Sequence, residues 1–301
     1  MTDNFRCGFV AIVGRPNAGK STLINALVAE KVSIVTPAPQ TTRNRILGVL
    51  NRPGAQVVFV DTPGIHKPFS RLNQQMMAFV REALEGRSLA LLVVDAAASF
   101  GHGDMFAVEL LKQYHTRAIL VLNKIDLLRK SRLLPLIQRY SELYPFDEII
   151  PASALKSEGL DELLTAVIER LPAGEPLFPA DYYTDQPSRF LASEIIREKV
   201  ILHTKQELPY VTAVLIDEFS ESERITRIRA RIVVEKESQK PIVIGADGAR
   251  IKQIGTEARL ELERIFPPRV YLDLRVDLEP AWRNNRAVVS ALDYRGEAGN
   301  R

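Results

Sequence analysis

Gly14-Arg15-Pro16-Asn17-Ala18-Gly19-Lys20-Ser21, followed by Thr22, fits the pattern Gly-x-x-x-x-Gly-Lys-Ser/Thr. Its surroundings fit as well. An apolar run at 9–13 precedes it and a helical pattern at 21–28 follows, so the loop joins a strand to a helix. Glycines let the backbone turn tightly enough for successive N–H groups to face an anion, and the start of the helix adds positive potential. Lys20 then reaches the β- and γ-phosphates of a nucleoside triphosphate, and Ser21 is placed to ligate Mg²⁺. Gly14, Asn17, Ala18, Gly19 and Thr22 complete the phosphate-binding set.

Outward from this loop, further apolar runs lie at 57–60, 90–94, 118–122 and 148–150. Each is rich in Val, Ile or Leu on successive positions, as strands covered on both faces are. Helical patterns separate them; Leu160, Leu163, Leu164, Val167, Ile168 and Leu171 form one stripe. The alternation predicts an α/β domain with a mostly parallel sheet and helices on both faces. Residues 46–50 and 56–60, joined by Asn51-Arg52-Pro53-Gly54, read as an antiparallel hairpin at one sheet edge.

Three motifs sit at the ends of these strands. Asp61-Thr62-Pro63-Gly64 closes the hairpin, where a carboxylate holds Mg²⁺ through its water and the Gly64 N–H senses a γ-phosphate. Asn123-Lys124-Ile125-Asp126 follows the run at 118–122. Asp126 can accept from the ring N–H and the exocyclic amine of guanine together, whereas adenine lacks that edge. Sites built on such a pair discriminate by ~10⁴-fold or more. Asn123 and Lys124 brace the loop. Ser153-Ala154-Leu155-Lys156 follows the last run, with the Ala154 N–H directed at the guanine carbonyl.

Composition bounds the rest. The 301 residues are 46% apolar and 26% charged, which is ordinary globular composition with room for two domains. Lys+Arg 40 against Asp+Glu 37 leaves +3, so net charge alone points to neither nucleic acid nor membrane. Cys7 is the only cysteine, which excludes an intramolecular disulfide and a Cys-rich zinc site. His66, His102, His115 and His203 are scattered and make no metal set. No run approaches the ~18 apolar residues of a membrane span, and the first apolar run ends at a glycine rather than a small-residue cleavage site. The expected compartment is a reducing cytoplasm.

The strand–helix pattern breaks where Pro172, Pro176, Pro179 and Pro187 fall. This divides the chain into a first domain at 1–172, a Pro-rich linker at 173–188 and a second domain at 189–301. In the latter, 190–205 looks helical, and 211–219 and 226–237 alternate like half-exposed strands. Ile251, Ile254, Ala258, Leu262 and Ile265 mark a helix, and 270–276 reads as a third strand. That order describes a small α+β domain. The tail, 294–301, reads as frayed.

These four motifs, with a Thr in the loop 32–45 after the first, make five that in order resemble those of the translation-factor-related GTPases over roughly residues 6–171. The resemblance implies a P-loop GTPase domain with two switch loops and GTP/GDP and Mg²⁺ as ligands. It implies a Mg²⁺-ligating threonine in Gln40-Thr41-Thr42-Arg43, either Thr42 or Thr41, and a catalytic set of Lys20, Thr42 and Gly64. Ile65 stands where many signalling GTPases carry a water-orienting Gln, so unassisted turnover is expected to be slow; a GTPase lacking its full stabilising set runs ~10⁵-fold below the assisted rate. In related GTPases with an apolar residue there, an Asn equivalent to Asn17 helps to coordinate K⁺. A plain loop hydrogen bond is the alternative for Asn17. Arg43 and Arg45 are alternative sources of positive charge.

Gly245-Ala246-Asp247-Gly248, between Ile242–Ile244 and an amphipathic helix, resembles the GxxG loop of a KH domain, which clamps a single-stranded backbone. With a first of two adjacent helices near 240–244, the order α-β-β-α-α-β is that of the type II form. The implied RNA-binding set is Gly245, Ala246, Asp247, Gly248, Arg250 and Lys252. Asp247 departs from the usual basic or neutral residue and places a like charge beside phosphate, with Arg250 and Lys252 one turn on. Residues 176–301 hold 20 Lys/Arg and 20 Asp/Glu. Arg227, Arg229 and Arg231 share one strand face, which reads either as an RNA platform or as a solvated face.

A GTPase domain followed by a type II KH domain is similar to the architecture of the Era family. KVSIVTPAPQTTRNRILG, DTPGIHKP and Trp282 within EPAWRNNRAVVSALDY also look Era-like. Membership implies a GTP-hydrolysing switch that binds small-subunit (16S) ribosomal RNA and acts in 30S assembly. It also implies loose association with the inner membrane face. No dimer interface is suggested, so a monomer is expected.

Overall fold

The computed structural model describes residues 5–65, 69–266 and 269–294. The DTPGIHKP stretch is therefore described only as far as Ile65. His66 and most of the tail read as frayed, from 295 onward, lie outside the described residues. The chain divides into two compact units, one running to Asp185 and the other from Gln186, apart from two short segments, Thr36–Ala38 and Phe69–Leu72, that group with the second.

The first unit runs β1 (Arg6–Val13), α1 (Lys20–Val28), β2 (Ile46–Arg52), β3 (Ala55–Asp61), α2 (Arg71–Leu84), β4 (Leu89–Asp95), α3 (His102–Gln113), β5 (Ala118–Asn123), α4 (Leu133–Leu143), β6 (Glu148–Pro151) and α5 (Leu160–Arg170). The six strands pair in the order β2-β3-β1-β4-β5-β6. Every pairing is parallel except β2 with β3, the hairpin at one edge. β3 and β5 are buried along their whole length, which explains their unbroken apolar sequence. One core joins Ala11, Val13, Leu92 and Leu120 of the sheet to Val80 of α2, Leu111 of α3 and Tyr140 of α4. α1 packs on β2 and β3, and α5 on β1 and β6. Gly48 makes the close approach of α1 possible, since a Cβ there would lie 2.9 Å from Ile24 Cδ1.

Residues 173–185, read from sequence as linker, are instead strapped along the hairpin edge. Gln56, fully buried, accepts from the N–H groups of Leu177 (2.7 Å) and Phe178 (3.0 Å) and donates to Phe178 O (2.8 Å). Val49 N–H donates to Tyr183 O (2.9 Å), and Thr184 Oγ1 donates to Leu47 O (2.8 Å). The prolines prevent regular structure, but the open edge of β2 has backbone groups that need partners, and the strap supplies them.

The second unit runs α6 (Ser188–His203), α7 (Leu208–Val211), β7 (Ala213–Ser220), β8 (Thr226–Val234), α8 (Lys240–Ile244), α9 (Ala249–Ile265), β9 (Val270–Leu278) and α10 (Arg286–Ala291). β7 and β8 are antiparallel, β8 and β9 parallel, and β9 lies at the sheet edge. α6 and α9 pack on one another, α6 also against β7 and α9 against β9. Trp282 is fully buried, with Nε1 donating to Val211 O (2.7 Å), so it is a core residue.

Candidate nucleotide site and RNA groove

The phosphate loop is shaped by residues with no room to change. Gly14 has φ +152°, and a Cβ there would run into Val93 O; Gly19 has φ +92°, and a Cβ would run into Asn123 Nδ2. Gly64 lies flat on the loop, where a Cβ would be 2.7 Å from Pro16 Cα. Lys20, only 6% exposed, points back over the loop and donates to Gly14 O (3.2 Å) and Arg15 O (3.0 Å). Burial lowers its pKa to about 8, while nearby Asp61 pulls the other way. Thr22 follows Ser21 on α1, half-buried.

Ser21 is the centre of an oxygen cluster. Its Oγ lies 2.7 Å from Thr42 Oγ1 and donates to Asp61 Oδ2 (2.9 Å). Ser33 Oγ donates to the same Asp61 oxygen (3.0 Å). Asp61 Oδ1 is buried with no hydrogen-bond partner. Burial pushes the Asp61 carboxyl up, and Lys20 and the Ser21 and Ser33 hydroxyls oppose that. Thr42 is 5% exposed, within a loop whose start is held by Asn25. Asn25 Oδ1 accepts from Val32 and Ser33 N–H (both 3.0 Å), and its Nδ2 donates to Ser33 O (2.7 Å).

The base-side motifs form one connected network. Asn123 Nδ2 donates to Ala18 O (2.8 Å), tying the strand end to the phosphate loop. Lys124 Nζ donates to Asn17 O and to Asp95 Oδ2, both at 2.7 Å. Ser153 Oγ donates to Asp126 Oδ1 (2.6 Å), aiming an exposed carboxylate whose second oxygen is left for a ligand. The Ala154 N–H departs from the sequence reading: it donates to Asn123 Oδ1 (2.9 Å) rather than standing open for a carbonyl. Leu155 is 74% exposed at the tip of the same loop.

In the second unit, Gly245 (φ +78°) and Gly248 (φ +75°) turn the chain between α8 and α9. A Cβ on Gly245 would be 2.7 Å from Arg250 Cβ, whereas Gly248 has open space around it. Asp247 is exposed at φ +48°, and Lys252 is exposed. Arg250 is not a free cation, since its guanidinium donates to Ile242 O in α8. Beside this loop, α9 and β9 enclose a groove of about 310 Å³. Leu272 and Leu274 form its apolar floor, and Lys252, Gly255, Thr256 and Arg259 its rim.

Comparison with known proteins agrees with both halves. The family model described as "50S ribosome-binding GTPase" matches residues 9–124, and the KH domain model matches 207–283. GTPase Era of Syntrophus aciditrophicus is 47% identical over 96% of this chain and 95% of its own. GTPase Era of Geobacter metallireducens is 46% identical over 98% of this chain and 100% of its own. The chain belongs to the GTPase Era family. A crystal structure of Era with MgGDPNP and nucleotides 1506–1542 of 16S ribosomal RNA superposes with a TM-score of 0.93, at 42% identity, covering 96% of this chain and 99% of that one. A variant of Aquifex aeolicus Era with one tyrosine replaced by alanine, bound to GDP and AlF₄⁻, gives 0.92 at 42% identity, over 96% and 99%.

Several contributors to this Era-family site carried no sequence signal. Ser33, Asn25 and Asp95 act through contacts between distant segments, and a lone Ser, Asn or Asp has no spacing to reveal it. The groove residues Gly255, Thr256, Arg259, Leu272 and Leu274 were legible only as helix and strand positions. The arginine face of β8 is a ladder of pairs: Arg229 with Glu218 (3.3 Å) and Asp273 (3.5 Å), Arg231 with Asp217 (2.8 Å), and Arg275 of β9 with Asp217 (3.1 Å). Arg227 lies over the Tyr271 ring at 5.9 Å. Of the two readings offered by sequence, the pairing of Arg229 and Arg231 favours the solvated face.

Proposed function

We propose that this GTPase is a GTP-operated switch that binds 16S ribosomal RNA through its KH unit and acts in assembly of the 30S subunit. The observation that carries the nucleotide half is the convergence of Ser21, Thr42 and Asp61, with Asp61 Oδ1 buried and unpaired. Two hydroxyls and one carboxylate are hard oxygen donors and suit Mg²⁺; among the described residues no His/Cys/Asp/Glu cluster offers an alternative metal site. The ion, when bound, neutralises charge on the β- and γ-phosphate oxygens. The 2.7 Å approach to Ser21 supports Thr42 over Thr41 as the threonine ligand.

The remaining steps belong to the chain's own groups. Lys20 exchanges its two carbonyl acceptors for phosphate oxygens, which hold its proton to higher pH than burial alone allows. Gly64 presents backbone at the phosphate loop. Asp126, aimed by Ser153, selects guanine. Ile65 is buried in the core, with its N–H donated to Gly14 O (3.0 Å), so no side chain at that position orients the attacking water. Slow turnover without a partner follows. Faster hydrolysis in K⁺ than in Na⁺ tests the K⁺ reading of Asn17.

The RNA half rests on the GxxG turn with its adjoining apolar groove, and on the 16S complex of the solved relative. That complex supports the small subunit rather than the large one named in the family model's description. The reading places the protein in the cytoplasm, as a monomer, where GTP and nascent subunits are found; any hold on the inner membrane face is peripheral. Among the described residues no helix is long and apolar enough to cross a membrane.

The test pairs single-turnover GTP hydrolysis with binding of the 1506–1542 RNA. Hydrolysis is expected to require Mg²⁺. Gly255→Leu, which fills the groove next to Leu274, is expected to weaken RNA about tenfold, the worth of one base contact, with hydrolysis unchanged. Mg²⁺-independent hydrolysis, or RNA binding indifferent to Gly255→Leu, would contradict the assignment.

A further inference from the structure

A second basic feature lies in the first unit, on a surface the nucleotide motifs do not use. The segment 127–141 carries Arg129, Lys130, Arg132 and Arg139 and no acidic residue, in a chain whose charges otherwise nearly balance. It borders a cavity of about 370 Å³, open to solvent, between α4 and the loop after β4. Arg132, Arg139, Ser99 and Ser131 offer donors there, and Phe100 and Leu136 supply an apolar wall. The Arg139 guanidinium lies 5.0 Å from the centroid of the Phe100 ring. A guanidinium over an aromatic face leaves N–H groups for an outside acceptor.

The two acids that flank the loop are both neutralised on its other side. Asp95 is paired with Lys124 (2.7 Å) and Asp104 with Arg15 (2.7 Å). The loop is also fastened by Ala96 N–H to Asn123 O (2.9 Å) and by Arg15 to Ser99 O (3.1 Å). The cavity wall is therefore fixed in place, and the charged residues that line it, Arg132 and Arg139, are both cations. This contrasts with the arginine ladder of β8, where Arg229 and Arg231 each have an acidic neighbour.

We infer that this cavity is a second RNA contact, holding backbone phosphates through Arg132 and Arg139. The inference rests on the rRNA-binding reading above and places part of the RNA footprint on the GTPase unit. Guanidinium pairs with serine hydroxyls and no competing carboxylate match phosphate chemistry.

The test uses the full chain loaded with a non-hydrolysable GTP analogue, as wild type, Arg132→Ala/Arg139→Ala and Arg132→Glu/Arg139→Glu. The probes are the 1506–1542 RNA, deproteinised 16S rRNA and intact 30S subunits, each over a range of salt. Unchanged affinity for the GTP analogue reports that the variants are folded. The inference predicts that the alanine pair weakens 16S rRNA about tenfold and makes the log K against log salt slope shallower by about 2, one per cation removed. The glutamate pair weakens it further. Unchanged affinity and slope for 16S rRNA would overturn it, and so would a loss seen only with 30S subunits, which assigns the cavity to a ribosomal protein. Failure of the wild type to bind the 1506–1542 RNA would instead sink the KH reading, and the second contact would then stand or fall on 16S rRNA alone.

Discussion

The nucleotide site and the RNA groove solve recognition in opposite ways. In the first, nearly every motif side chain has a partner in another motif: Asn123 with Ala18 and Ala154, Lys124 with Asn17, Ser153 with Asp126, Ser21 with Asp61. The ligand is one small molecule, and buried, directional polar groups preorganise its cavity. In the second, the loop is exposed, Arg250 is occupied by a backbone carbonyl, and the groove offers two leucines and a rim. Its ligand is a polymer, bound by backbone approach and base contact, which need shape more than fixed polar partners. Damage should therefore be abrupt and specific in the first region and gradual in the second.

Removing Lys20 should give the largest effect. Lys20→Met deletes the one buried cation of the phosphate loop and is expected to lower kcat/KM for GTP about 10³-fold, with the unfolding midpoint little changed. Measured hydrolysis within tenfold of wild type would break the contrast. Ser153→Ala comes next. It frees Asp126, and a hydrogen bond to a charged group is worth about 1.5–3 kcal/mol. GDP affinity, measured by fluorescence titration, should fall roughly 10–100-fold.

The pH dependence is intermediate and confined to the nucleotide. Without ligand, Lys20 titrates at about 8, below its ordinary 10.5, because burial disfavours its charge. Bound phosphates favour the charge, so nucleotide binding takes up a proton above that pH. The Kd for GDP should rise by up to about tenfold per pH unit above pH 8. Binding should be flat below it, and Lys20→Arg should lose the dependence. The same depressed pKa makes its contribution to the stability of the ligand-free protein largest above pH 10.5 and lost as pH falls through about 8. The smallest effect is expected on the KH sheet. Arg229→Ala or Arg231→Ala removes a cation already paired to carboxylates, in pairs worth about 0.2–1 kcal/mol, and RNA affinity should stay within twofold by filter binding.

The same contrast explains what sequence could show. The phosphate loop, Asp61–Gly64 and Asn123–Asp126 were legible because their chemistry demands fixed residue types at fixed spacing at strand ends. The parallel sheet followed from unbroken apolar runs such as 118–122. The strap at 173–185 was not legible, since prolines state only that no helix or strand forms and say nothing of where the chain lies. Gln56, fully buried and holding that strap, looked like an ordinary strand residue. The hydrogen bond from the Ala154 N–H to Asn123 was not legible because the two lie 31 residues apart. The groove was missed because Gly255, Leu272 and Leu274 meet only after α9 packs on β9.

The central claim is that nucleotide state governs RNA binding. It is tested most directly by titrating the 1506–1542 RNA into the full chain loaded with a non-hydrolysable GTP analogue and, in parallel, with GDP. The account predicts tighter binding in the GTP-analogue state by at least about fivefold, the lower end of ordinary coupling between sites. Equal affinity in the two states would contradict it.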